Sequence, residues 1–147
     1  MVCCGFGHRH IYEDINSRVD SAIINALEKG CSVFYTGAMG DFDNMFSSAV
    51  RKAKHIYPNI KLICIKPYMT ADINTKKEYY NTFYDDVIIP KEIIGKHYKS
   101  AITARNKWMV DKSDIIIGYT VRNYGGAYTA LMYASKTEKN LIVITSN

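Results

Sequence analysis

The chain has 147 residues, of which 48% are hydrophobic and 22% charged, so its composition excludes a disordered protein and predicts one domain with a substantial core over residues 1–147. No apolar run approaches the roughly 20 residues that span a bilayer, and no secretory signal is present, so we expect a cytoplasmic protein without a membrane partner. The formal net charge of +5 favours phosphate-bearing ligands, although the basic residues form no block and a solubilising surface explains them as well.

Short apolar runs alternate along the chain with longer segments of helical periodicity. The apolar runs predict strands, at residues 1–4, 32–36, 61–65, 86–90, 115–118 and 141–144. The segments between them predict helices, at residues 11–27, 41–53 and 127–134, together with one that leads into Trp108. Asp41 or Asp43 is a plausible cap of the second helix. Residues 68–84 are polar and rich in tyrosine, which predicts a loop with a short helix around residues 76–83.

Strands that alternate with helices predict right-handed crossovers and a mainly parallel sheet, and hence an α/β fold with the three layers α/β/α. Ile115, Ile116 and Ile117 show no polar alternation, which favours a strand that is covered on both faces. Ligands of such sheets bind outside the carboxyl ends of the strands, where the chain order reverses. We therefore expect the functional residues in the segments that follow strands, which are residues 5–9, 36–43, 66–68 and 119–126.

Four cysteines are present, and all lie in or beside predicted strands. They are Cys3, Cys4, Cys31 and Cys64. Without an export signal we expect them to be reduced core residues rather than disulfides. No C-x-x-C pair occurs, so the sequence predicts neither a metal site nor a cofactor.

The turn after the fifth predicted strand contains Gly125 and Gly126, which allow backbone angles and close approaches that a Cβ would forbid. The apolar run behind them starts a helix whose first N–H groups have no acceptor within the helix. Such a helix start binds anions, most often phosphate. Tyr124 is one of three tyrosines near this turn, and a base can stack on one of them.

The loop after the first predicted strand contains Gly5, Gly7, His8 and Arg9. The two glycines either form a tight turn or open the backbone to a ligand, but without a third glycine they are a poor dinucleotide fingerprint. His8 either contacts phosphate or caps the turn. The guanidinium of Arg9 suits bidentate binding of phosphate.

Arg105 lies on the helix before the fifth strand, and two roles are open for it. It contacts a phosphate, or it pairs with Asp111 or Asp114 at the surface. We favour the first role and expect truncation of Arg105 to weaken ligand binding far more than stability. Trp108 and Met109, further along the same helix, are candidates for an apolar dimer interface.

Four motifs in this order resemble those of the SLOG superfamily, namely Gly7-His8-Arg9, Thr36-Gly37-Ala38-Met39-Gly40, Arg105-Asn106-Lys107-Trp108-Met109-Val110-Asp111 and Tyr124-Gly125-Gly126. This Rossmann-like group includes the Lonely Guy phosphoribohydrolases and the DprA proteins, and the likeness is closest to its small YpsA-like branch. The resemblance implies a Rossmann-like fold, a nucleotide or nucleotide-derived ligand at the carboxyl edge of the sheet, and often a homodimer.

The sequence departs from the Lonely Guy enzymes, which have an Arg-Lys-x-x-Met segment and a Pro-Gly-Gly-x-Gly-Thr-x-x-Glu turn. The matching positions are Arg105, Met109, Gly125, Gly126 and Thr129. Tyr124 stands at the Pro position, Tyr128 at the third Gly and Met132 at the Glu. A thioether cannot act as the carboxylate does in glycosidic hydrolysis, which makes that mechanism doubtful. Asp41 or Asp43 can replace the acid, or both are helix caps.

Three functions follow as hypotheses. The favoured one is binding or sensing of a nucleotide or nucleotide-derived ligand through phosphate-cradling loops, with no catalytic residue assigned. The others are a nucleotide-processing hydrolase with a different acid, and a DprA-like binder of single-stranded nucleic acid, which lacks a recognisable basic and aromatic track. The predicted ligand-binding residues are Gly5, Gly7, His8, Arg9, Thr36, Gly37, Gly40, Arg105, Tyr124, Gly125, Gly126 and Thr129.

Overall fold

The computed structural model describes residues 1–146 as an α/β fold around one parallel sheet. Its strands are β1 (Val2–Phe6), β2 (Val33–Thr36), β3 (Lys61–Ile65), β4 (Asp86–Ile88), β5 (Ile115–Gly118) and β6 (Asn140–Val143). Its helices are α1 (Asn16–Glu28), α2 (Asp41–Ala53), α3 (Asp72–Thr75), α4 (Lys77–Phe83), α5 (Tyr98–Lys112) and α6 (Gly126–Lys136), with a short 3-10 helix at Lys91–Ile93. The predicted fold class, a Rossmann-like three-layer sandwich with a mainly parallel sheet, is confirmed.

The strand order is β4-β3-β2-β1-β5-β6, and every neighbouring pair is parallel. The chain moves outward from β1 to β4 and then crosses back to β5 on the other side of β1. The order therefore reverses between β1 and β5, whose last residues, Phe6 and Gly118, are partners in the register. Ligands of open parallel sheets bind at such a reversal.

Two apolar clusters cover the two faces of the sheet. On one face α1, α2 and α4 pack around Phe34, Phe42 and Phe46. On the other face α5 and α6 supply Met109, Val110, Ala130 and Ala134. All four cysteines are buried thiols without a disulfide. Among residues 1–146, no helix combines the length and the apolar character needed to cross a bilayer.

The structure moves several predicted boundaries. β1 continues through Gly5 and Phe6, which pair with β5, whereas the sequence ended it before Gly5. The first helix begins at Asn16 rather than at residue 11, because residues 7–15 form a loop. In that loop the N–H of Ile11 is bonded to the Asp41 carboxylate over 2.9 Å. Two short helices, α3 and α4, occupy the segment for which the sequence predicted a loop and one helix.

Of the two predicted interface residues on α5, Met109 is fully buried under the sheet and cannot contact a second protein. Trp108 is half-buried and stacks on Tyr35, with 5.6 Å between the ring centroids. Of these two residues, only Trp108 therefore has part of its side chain exposed to solvent.

Gly5 has a packing role that a substitution can test. A Cβ at this position would lie 2.5 Å from Cδ2 of Phe46 and 3.0 Å from Cε1 of Phe42, both in the core. Gly5→Ala is therefore expected to lower the free energy of unfolding by about 1–3 kcal/mol through overpacking, as measured by urea denaturation. Gly126→Ala is the control, since a Cβ there meets nothing within 4 Å. Equal stability of Gly5→Ala and the parent would contradict the packing role.

Candidate functional site

A cleft of about 360 Å³ opens at the carboxyl edge of the sheet, beside the reversal between β1 and β5. The loops after β1 and β5, the start of α2, the middle of α5 and the start of α6 form its walls. The predicted residues that line it are Gly7, His8, Arg9, Arg105 and Gly126. Further lining residues, to which the sequence assigned no binding role, are Phe6, His10, Tyr12, Met39, Asp43, Ile102, Asn106, Arg122 and Ala127.

His8 and Arg122 meet at the reversal, because one follows β1 and the other follows β5. His8 is 6% exposed, and its Nε2 accepts the N–H of Val121 over 2.9 Å. Neutral imidazole then carries its proton on Nδ1, which lies 3.0 Å from Nη2 of Arg122. Burial and the charge of Arg122 lower the pKa of His8, which keeps the ring neutral. Two donors therefore face each other without an acceptor between them.

The start of α6 adds further donors. Gly125 caps the helix at φ 97° and has no capping side chain, and the first bond within the helix runs from the N–H of Thr129 to its carbonyl. The N–H groups of Gly126, Ala127 and Tyr128 precede that bond and have no acceptor within the helix. No acidic residue lies in this first turn. This helix end can therefore hold an anion.

At the start of α2, by contrast, the first N–H groups already have hydrogen-bond acceptors. The N–H groups of Asp41 and Phe42 donate to the carbonyl oxygens of Arg9 and His8, over 2.8 and 3.2 Å. Gly40, at φ 101°, permits this approach, since a Cβ there would lie 2.6 Å from Cα of Arg9. The carboxylate of Asp41 accepts from the loop after β1, and Asp41 does not line the cleft. Of the two acids considered from the sequence, only Asp43 lies at the cleft.

Asp43 is half-buried, and one of its oxygens, Oδ2, accepts the N–H of Met39 over 2.9 Å. Burial raises the pKa of Asp43 to about 6, although this hydrogen bond and the charges of Arg105 and Arg9 act in the opposite direction. The carboxyl group is therefore ionised at neutral pH with a protonated fraction that grows quickly on mild acidification.

Arg105 is 3% exposed and ties the ends of β2 and β3 together. Its Nη1 donates to the carbonyl oxygens of Ile65 and Gly37 over 2.8 and 3.3 Å, and its Nε donates to Asn106 over 2.9 Å. A Cβ on Gly37 would lie 2.9 Å from the guanidinium carbon, so a larger residue there would displace the guanidinium. The pairing with Asp111 or Asp114 considered from the sequence does not occur. Those carboxylates accept from the Tyr133 hydroxyl and the N–H of Val2.

The other predicted residues do not line the cleft. Thr36 is fully buried and its Oγ1 accepts the N–H of Ala38, whereas Thr129 donates to the carbonyl of Gly125. Tyr124 is 63% exposed, and the guanidinium of Arg122 lies 5.1 Å from its ring centroid. Within the described residues, no three histidine, cysteine, aspartate or glutamate side chains come together as potential metal ligands.

The burial of Arg105 revises the expectation that its truncation spares stability. Arg105→Ala leaves two buried carbonyl oxygens without a charged donor, so we expect a loss of about 1.5–3 kcal/mol in the free energy of unfolding. Arg51→Ala is the matched control, because Arg51 also donates to one carbonyl, that of Phe83, but at the surface. Its loss should cost less than about 1 kcal/mol. Equal melting temperatures of Arg105→Ala and the parent would contradict this role.

The raised pKa of Asp43 predicts a pH dependence of stability. Between the ordinary value of 3.8 and about 6, the folded protein holds a proton that the unfolded chain has lost. The contribution of this group to stability therefore falls as the pH rises through that interval. Asp43→Asn should remove the fall and be at least as stable as the parent at pH 7.5, measured by urea denaturation at several pH values. Other groups are the same in both proteins, so an unchanged difference across the interval would contradict the raised pKa.

Two solved structures share the fold over almost the whole chain. DNA processing protein A of Helicobacter pylori, described for its single-stranded DNA binding mode, matches with a TM-score of 0.70 at 16% identity, covering 100% of this chain and 66% of that one. DNA processing protein A (DprA) of Streptococcus pneumoniae matches with a TM-score of 0.70 at 15% identity, covering 99% of this chain and 50% of that one. At these identities the likeness is one of fold.

No curated protein matches the sequence. The family model YpsA, described as the YspA SLOG family, matches residues 7–145 and therefore includes all four motifs noted in the sequence. The match begins at Gly7, continues through the loops that form the cleft and ends after β6. The chain belongs to the YpsA SLOG family.

Proposed function

We propose that the cleft binds a nucleotide or nucleotide-derived ligand, with a phosphate at the end formed by the loops after β1 and β5. The observation that carries the proposal is a group of hydrogen-bond donors that have no acceptor among the described residues. They are Nδ1–H of His8, the guanidinium of Arg122 and the first N–H groups of α6. Phosphate oxygens can accept from all of them at once, with charge assistance from the arginine.

The charge of the cleft supports an anionic ligand. Arg9, Arg105 and Arg122 line it, and Asp43 is the only acidic residue in its described lining. Neither ion pair found among residues 1–146 involves any of these three arginines. Because Arg105 already donates to backbone carbonyls, Arg9 and Arg122 are the arginines left to bind a ligand.

The size of the cleft suits one small molecule. Its volume of about 360 Å³ lies in the range of roughly 300–1,000 Å³ that small-molecule sites occupy. Tyr12, which is 95% exposed, also lines it, and an aromatic ring so open to solvent can stack on a base.

A hydrolase that cleaves the N-glycosidic bond of a nucleotide is the second candidate, and the position of Asp43 favours it. A carboxyl group with a pKa of about 6 can donate a proton to a leaving base near neutral pH. Met132, at the position of the Lonely Guy glutamate, is 45% exposed and does not line the cleft. Release of free base from nucleoside 5′-monophosphates would decide for this candidate.

A binder of single-stranded nucleic acid is the third candidate. Exposed Tyr12 lines the cleft together with Arg9, and the guanidinium of Arg122 lies 5.1 Å from the ring centroid of exposed Tyr124. Proteins that bind single strands combine aromatic and basic side chains in this way. The Helicobacter pylori protein is described as binding single-stranded DNA. An affinity for oligonucleotides that falls steeply with salt would select this candidate.

Removal of Arg122 tests the phosphate end. Arg122→Ala is expected to weaken binding of a nucleoside 5′-monophosphate at least about tenfold, equivalent to roughly 1.4 kcal/mol, with an unchanged melting temperature because Arg122 is exposed. Gly126→Val should weaken binding as well, since a Cβ at Gly126 meets nothing in the folded protein and Gly126 lines the cleft, so that the added side chain takes up space there. Calorimetry with the four common nucleoside 5′-monophosphates measures both effects.

The control for this experiment is Arg51→Ala, which removes a positive charge outside the cleft. It should bind like the parent, so a loss of affinity confined to the cleft variants reports a local contact rather than a change in net charge. Equal affinities for the parent, Arg122→Ala and Gly126→Val would refute the assignment of the phosphate end.

A further inference from the structure

Asp43 also lines the cleft, away from the donors of His8, Arg122 and α6. Its carboxylate would repel a phosphate rather than bind it. We propose that Asp43 accepts hydrogen bonds from the sugar hydroxyls of the ligand, so that the site selects a phosphorylated nucleoside with free 2′ and 3′ hydroxyls. This inference rests on the proposed function, and it adds the orientation of the ligand and a residue that determines specificity.

The hydrogen bonds around Asp43 leave it an acceptor for a ligand. Its Oδ2 is bonded to the N–H of Met39, and its Oδ1 has no donor among the described residues. Asp43 takes part in neither of the ion pairs found in residues 1–146. The nearby guanidinium of Arg105 directs its donors to carbonyl oxygens, to Asn106 and to the sulfur of Met39. The carboxylate therefore keeps one oxygen for the space that it lines.

The two ends of the cleft differ in what they offer, and this difference fixes the orientation. The end at His8, Arg122 and α6 presents donors without acceptors, whereas the end at Asp43 presents an acceptor. A phosphate placed at Asp43 would face a carboxylate and would find the donors of Arg105 in use, so that Arg9, whose charge acts on Asp43, would be its one remaining arginine there. The other end offers Arg122, His8 and the start of α6 together. A ligand with an anion and hydroxyl groups thus gains most with the anion at α6 and the hydroxyls at Asp43.

The spacing of the strands suits such a ligand. Asp43 follows β2 and Arg122 follows β5, and these strands lie on either side of β1. Neighbouring strands lie about 4.8 Å apart, so the ends of β2 and β5 are roughly 10 Å apart and the two residues approach the cleft from opposite sides of β1. A phosphate and the secondary hydroxyls of one ribose are the two kinds of group that these two sides can bind.

A site built to bond a hydroxyl rejects an analogue that lacks it, because the buried acceptor then stays without a partner. Calorimetry on the full chain compares adenosine 5′-monophosphate with its 2′,3′-dideoxy analogue and with inosine 5′-monophosphate, which lacks the amine of the base. The parent is expected to prefer adenosine 5′-monophosphate to the dideoxy analogue at least about tenfold. Asp43→Ala should abolish this preference and bind the dideoxy analogue as the parent does.

Asp43→Asn is the second variant, because its amide oxygen can keep the bond from Met39 if Asp43→Ala is unstable. Its amide nitrogen then replaces the carboxylate oxygen in the cleft, and the preference for the free hydroxyls should fall. Equal affinities of the parent for the two sugars overturn the inference and leave the proposed nucleotide site intact. A preference that follows the base amine, or one that survives in both variants, also overturns it. Failure of the parent to bind any nucleoside monophosphate overturns both proposals.

Discussion

All six strands of the sheet are parallel, so the last carbonyl groups of every strand, and the loop that follows it, lie at the same edge. Backbone groups at that edge have no hydrogen-bond partner in a neighbouring strand. At β2 and β3 a side chain supplies the missing donor, since the buried guanidinium of Arg105 reaches the carbonyl oxygens of Gly37 and Ile65. The segment between β2 and α2, which supplies Met39 and Asp43 to the cleft, therefore depends on a hydrogen-bond donor that comes from α5.

Two arginines of the cleft consequently differ in function although both line the same space. Arg105 is buried and its donors are bonded to protein atoms, whereas Arg122 is exposed and faces another donor, Nδ1 of His8. Free energy explains the difference. A buried guanidinium without acceptors would be costly, but an exposed one keeps its hydration until a ligand arrives. The first arginine holds the loops in place, and the second is available for a ligand.

The sequence predicted the parts of the fold that local pattern determines. The isoleucine run of β5, the glycine turn before α6 and the alternation of strands with helices each follow from local properties, and the structure confirms the fold class. Residues 11–15 of the loop before α1 were predicted as helix, because Ile11 and Ile15 continue the helical spacing of α1. Only the tertiary bond from Ile11 to Asp41 reveals that the first of them belongs to a loop.

The partners of polar side chains were harder to predict than the fold. The motif around Arg105 indicated a ligand contact or a surface ion pair, since spacing along one helix offers only local acidic partners. Its actual acceptors lie 68 and 40 residues away in sequence, and no local pattern encodes such pairs. Arg122 lies in the segment expected to contain functional residues, but its neighbours in sequence do not indicate a role for it. The role becomes apparent only in the fold, where His8, which follows β1, lies beside it. A motif of consecutive residues can be recognised from the sequence, whereas hydrogen-bond partners that are distant in the chain cannot. For this reason the sequence predicted Gly7, His8, Arg9, Arg105 and Gly126.

The place of the acid separates this cleft from the one that the Lonely Guy motif implies. There the glutamate belongs to the helix after the glycine turn, and here that position is Met132, on a part of α6 that does not line the cleft. The carboxyl group of the cleft comes instead from α2, on the far side of β1. A helix start that bears a carboxylate repels an anion, and one without it attracts an anion. α2 carries Asp41 and Asp43 in its first turn, whereas α6 carries no acid there. This difference in charge between the two helix starts is the basis of the ligand orientation that we propose.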